Sequence, residues 1–146
     1  STSNGPGATQ SHRVTYDSLQ KQVLFYNPNW SGVVWSWDGT SWSSMNANEA
    51  VDADATPFVF GDADGKALLF SGFSGGQYAS ATWLWENGVW SQAGTVMVPS
   101  VRNGSAMAFD SERGEWLMYA GQSTATSNDP YNFHDDTWIY RAGSSN

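Results

Sequence analysis

The chain has 146 residues and a formal net charge of −8, with only six Lys and Arg in total. A surface that acidic repels phosphate backbones and anionic headgroups, so nucleic-acid partners and membrane insertion are not expected. No apolar run reaches the ~20 residues a spanning helix needs. The absence of Cys removes disulfides, thiolate metal sites and thiol nucleophiles. Low lysine with abundant Ser, Thr, Asn and Trp leans towards a secreted protein, and no cofactor is expected. Asn29-Trp30-Ser31 and Asn103-Gly104-Ser105 fit the N-glycosylation acceptor pattern.

In chain order, short alternating apolar runs predict strands at 13–16, 22–26, 33–37 and 41–44. A turn over 17–21 separates the first two, and Asp38-Gly39 is a hairpin signal between the last two. The next set falls at 57–60, 66–71, 82–85 and 89–92, with the turn Asp62-Ala63-Asp64-Gly65 and the hairpin signal Asn87-Gly88. A third set falls at 105–109, 115–120 and 137–140, around a turn at 110–114. No Trp-bearing fourth strand follows Arg141. Residues 1–10 are the available substitute, from the same or another chain, although they carry no Trp.

The three sets are copies of one unit. Trp35, Trp83 and Trp138 occupy equivalent places, 48 and 55 residues apart. Repeats of this length built from short strands predict an all-β propeller with four strands to each blade. The expected architecture is a single domain over 1–146, with three four-stranded blades at about 10–45, 55–93 and 101–142. Closed rings have four to eight blades, and a three-blade wedge leaves two aromatic-rich faces open to water. The expectation is therefore a homodimer whose two chains close a six-bladed ring. The competing reading is a piece cut from a longer propeller.

The third repeat carries a family resemblance. Pro99-Ser-Val-Arg-Asn-Gly-Ser-Ala-Met-Ala-Phe-Asp-Ser-Glu-Arg-Gly-Glu-Trp-Leu-Met-Tyr-Ala-Gly, followed by Asp136-Thr-Trp-Ile-Tyr, resembles a kelch repeat. The diglycine that ends the second kelch strand is degenerate here, reading Tyr26-Asn27, Ser71-Gly72 and Ala120-Gly121. The resemblance implies the propeller fold and leaves activity open, because such propellers host binding, scaffolding and catalysis. It also implies a structural Arg102 bonded to backbone carbonyls, a structural Asp136, and a His12 bonded to neighbouring backbone. Kelch-type copper radical oxidases need a Tyr crosslinked to Cys, which a chain without Cys does not offer.

In an antiparallel meander the connection leading into the first strand and the loop between the second and third strands lie on one face. The long loops gather there, and rigid scaffolds place function on such loops. The candidate ligand-binding residues on this face are Trp30, Tyr78, Tyr131, His134, Asp135, Arg102 and His12. Aromatic rings among Asn, Ser and Gln suit a sugar, by stacking and by hydroxyl hydrogen bonds; loops packing on themselves are the alternative. Asp52-x-Asp54 and Asp62-x-Asp64 suggest calcium only superficially, because Asp and Gly are what turns require. No metal site and no catalytic set is assigned. The expectation is a secreted, lectin-like module binding carbohydrate or glycoprotein. One alternative is a protein-interaction or extracellular assembly subunit. The other is a sugar-acting enzyme using His12, His134 and Asp135 at the ring axis.

Overall fold

The computed structural model describes residues 5–8, 12–28, 33–45, 51, 56–70, 73–74, 77–78, 80–94, 98–123 and 131–142. The fold is all-β, and its sheets are arranged like propeller blades. The first sheet runs in the order β1 (Arg13–Asp17), β2 (Gln22–Tyr26), β3 (Val34–Trp37), β4 (Trp42–Met45). The strands β5 (Phe58–Gly61), β6 (Lys66–Phe70), β9 (Thr82–Glu86) and β10 (Val89–Gln92) form the second sheet. Between β6 and β9 a small hairpin pairs β7 (Phe73–Ser74) with β8 (Gln77–Tyr78). The third sheet consists of β11 (Ala106–Asp110), β12 (Glu115–Tyr119) and β13 (Thr137–Tyr140). The expectation of four strands in every blade is corrected here: among the described residues the third sheet has three.

Local chemistry sets the turns. The Asp17 carboxylate accepts from the Leu19 and Gln20 amides at 3.0 and 2.9 Å, and Asp110 accepts from Glu112 and Arg113, both at 3.0 Å. These two turns and the one between β5 and β6 end in the left-handed region, at Lys21, Gly114 and Gly65 respectively. The outer hairpins also use positive φ, at Gly39 in the four-residue connection 38–41 and at Asn87-Gly88, a tight two-residue connection.

The edge strands β1, β5 and β11 lie side by side, and the second sheet sits between the other two. Thr15 Oγ1 accepts from the Phe60 amide at 2.9 Å, which joins β1 to β5. The core between the first two sheets contains Leu24, Tyr26, Val34, Phe58, Phe60, Leu69, Trp85 and Trp90. A second core between the second and third sheets gathers Leu68, Leu84 and Trp116, with Val59, Met107, Phe109 and Tyr140 against them. Gly61 makes room there: a Cβ on it would lie 2.7 Å from Phe109 Cε2 and run into the Trp116 ring.

Pairing register and the period of two along each strand assign every side chain to a face. The second sheet turns Phe58, Phe60, Leu69, Trp85 and Trp90 to the first, and Val59, Leu68, Phe70, Thr82 and Leu84 to the third. The outer face of the first sheet carries Val14, Tyr16, Val23, Phe25, Trp35, Trp37 and Trp42. That of the third carries Ala108, Leu117, Tyr119, Thr137 and Ile139. The first set matches, position for position, the second-sheet face that packs on the first sheet. The second set matches the face that packs on the third.

Candidate functional site

The described parts of the loop joining β12 to β13, residues 120–123 and 131–136, extend the third sheet. Asn103 and Gln122 exchange backbone hydrogen bonds of 2.9 and 2.8 Å, and Gln122 also bridges to Phe133. His134 N donates to Gly121 O at 2.9 Å, Ala120 N to Asp136 O at 3.2 Å, and Ser123 N to Asn132 O at 3.2 Å. The connection into β11 and the loop before β13 thus meet on one face, as the meander argument requires. Alternation carries on through this extension. Tyr131, Phe133 and Asp135 are exposed, while Asn132, His134 and Asp136 are half-buried.

Tyr131 and Phe133 are 62 % and 68 % exposed. Their rings lie parallel and offset, with centroids 5.6 Å apart and planes within 4°. Behind them, Ser123 Oγ is buried and accepts from Asn132 Nδ2 at 2.5 Å while sitting 3.0 Å from His134 Nε2. These residues therefore present two exposed, mutually stacked rings on a polar, internally bonded support, with Asp135 exposed two positions further along.

Arg102 fixes the base of the loop. Its side chain is 1 % exposed. All five guanidinium donors are used: Nε to Ser100 O at 3.0 Å, Nη2 to Ser100 Oγ at 2.7 Å and Asp136 Oδ2 at 3.0 Å, and Nη1 to Ala120 O at 3.3 Å and Asp136 Oδ1. Trp138 Nε1 donates to the same carboxylate at 2.7 Å. The Arg102 guanidinium, with help from Trp138, holds the Asp136 carboxyl well below the usual carboxylate range, against an opposing push from partial burial. Arg102 is thus saturated by its own repeat and offers no donor to a ligand; it braces the loop from beneath.

The other candidates are scattered. His12 lies before β1 on the outward face of the first sheet, its ring stacked on Phe25 at 5.4 Å and 13°. The second sheet stands between it and His134, so the chain by itself does not bring the two histidines together. Tyr78 pairs through its backbone with Phe73 in the small hairpin, and its side chain lies outside the described structure. Trp30 lies outside the described residues, as do Asp52 and Asp54. Asp62 and Asp64 are exposed in the turn between β5 and β6. Sequence reasoning missed Phe133 and Ser123. The alternation Tyr131-x-Phe133-x-Asp135 was the available signal that this stretch is strand-like, with one face outward.

The chain matches no protein-family model and no curated protein sequence.

Proposed function

We propose that this protein is a secreted, kelch-type propeller module that binds carbohydrate on the loop face of its third repeat. The observation that carries the reading is the parallel, exposed Tyr131–Phe133 pair on a support of Asn132, Ser123 and His134. Exposed aromatic surface on a rigid base is the informative exception on a soluble protein. Ring faces receive the C–H face of a pyranose, and neighbouring polar groups and Asp135 take its hydroxyls. A glycan array followed by calorimetry tests this. Tyr131→Ala and Phe133→Ala should each weaken the best ligand by about tenfold, equivalent to ~1.4 kcal/mol, with an unchanged melting curve. An array on which no glycan binds, or binding that neither variant weakens, sinks the reading.

The proposed ring consists of two chains joined head to tail, the third sheet of each packing on the first sheet of the other. Supporting this is the register match between the two outer faces and the two internal interfaces. Val14 and Tyr16 are 54 % and 56 % exposed, and Tyr119 and Ile139 are 48 % and 50 % exposed. In the internal interface Trp90 rests on Tyr26 at 5.7 Å. The equivalent pair across the ring seam is Trp42 with Tyr119 of the partner subunit. The same two faces favour a second reading, an extracellular assembly subunit. Glycan binding absent while assembly persists selects it.

A further inference from the structure

The blade repeat is left incomplete beside β13. Where the first two sheets meet, Trp90 of the outer strand β10 closes the contact by resting on Tyr26, Phe58 and Trp85, at centroid distances of 5.7, 6.0 and 5.1 Å. Trp42 of β4 stands in the same relation to Trp37, at 5.3 Å. Moving one repeat along the register turns Tyr26, Phe58 and Trp85 into Phe70, Met107 and Tyr140. Those three side chains all line a cleft between the second and third sheets with about 390 Å³ of empty space, part of it open solvent. Leu68, Thr82, Trp116, Met118 and Trp138 also line it. Among the described residues no strand pairs with the outer edge of β13, the side on which a fourth strand of the blade would add.

We propose that this edge and cleft capture an extended segment of another polypeptide, which adds to the third sheet as its fourth strand and inserts one tryptophan into the cleft. The occupants of the two equivalent slots state the chemistry. They are Ser41-Trp42-Ser43 and Val89-Trp90-Ser91, an indole flanked by small, uncharged residues on a strand. Strand addition supplies backbone hydrogen bonds, and the pocket for the alternate side chain supplies selectivity. With a net charge of −8 on the protein, a neutral or basic segment is favoured over an acidic one. The inference concerns a different surface from the aromatic loop and stands independently of sugar binding.

The experiment titrates the isotope-labelled full chain with a synthetic peptide of its own residues 87–93, Asn-Gly-Val-Trp-Ser-Gln-Ala, and with the same peptide carrying Trp90→Ala. The expected result is saturable binding, with amide shifts centred on β13, Phe70 and Met107. Amide exchange should slow at Thr137–Tyr140, and the alanine peptide should bind more weakly by about tenfold or more. Three results overturn the proposal: no saturable binding, equal binding of the two peptides, or outer-edge β13 amides already protected in the free chain. The last would mean that the chain fills the slot itself. Because the substitution is in the peptide, the protein's own folding does not enter the comparison.

Discussion

The two internal interfaces solve one packing problem in two ways. Between the first and second sheets the large ring comes from the outermost strand, as Trp90, and the facing position on β6 is Ala67. Between the second and third sheets no outer strand is present among the described residues, and the large ring moves inward to β12 as Trp116. Trp116 takes the place that Ala67 holds one repeat earlier. Its indole N–H donates to Val59 O at 2.9 Å, and Gly61 on the facing strand gives up its side chain to admit it. A repeat can thus relocate its bulk from edge to centre, provided the neighbouring sheet makes room. What the relocation leaves unfilled is the cleft beside β13.

The strongest way to break this comparison is to remove either ring. Trp90→Ala and Trp116→Ala should each cost ~3–5 kcal/mol, the usual range for deleting a buried indole, as read by denaturant unfolding. A cost below ~1 kcal/mol for Trp116→Ala would show that the second interface is not held by that ring. Next comes Gly61→Ala, which adds a methyl group where Trp116 and Phe109 already stand and should cost ~1–3 kcal/mol by overpacking. The same substitution in a Trp116→Ala background should cost much less, because the obstructing ring is gone; a double-mutant cycle measures that coupling.

Arg102→Met should cost ~1.5–3 kcal/mol at neutral pH, since it removes charged hydrogen bonds from a buried position. Asp136 is 41 % exposed, so solvent screening places the value towards the lower end. The acid response has a definite sign. The folded-state pKa of Asp136 is depressed, so its contribution is complete above the unfolded value of about 3.9 and is lost as pH falls through the lower folded value. The stability gap between the parent protein and Arg102→Met should therefore narrow on acidification below about pH 4. A gap independent of pH would contradict the assigned ion pair. The smallest expected effect is a gain. Ala120 holds φ at +62°, which costs an alanine ~1 kcal/mol relative to glycine, so Ala120→Gly should raise the melting temperature slightly.

Much of this fold was legible in the sequence because turns and alternation are local signals. Asp38-Gly39 and Asn87-Gly88 marked their hairpins, and β2 spans the predicted 22–26. The β7–β8 hairpin was hidden in a stretch read as loop, although the Gly75-Gly76 pair between Phe73 and Tyr78 is a turn signal in itself. The site was less legible because its geometry is non-local. Nothing in the neighbourhood of Arg102 reveals that Asp136, 34 positions away, joins Ser100 and Ala120 in using all its donors. The Trp pattern shows which rings pack between sheets. It does not show that Trp35, Trp37 and Trp42 face outward on the first sheet, because that depends on which sheet ends the stack.

In the proposed ring every sheet face, internal or outer, is half of the same head-to-tail interface. Light scattering coupled to size exclusion tests it most directly, on the parent chain and on Tyr119→Arg. A closed two-chain ring requires twice the 15.9 kDa chain mass for the parent and the single-chain mass for the variant. A parent protein that stays at 15.9 kDa across the accessible concentration range would contradict it.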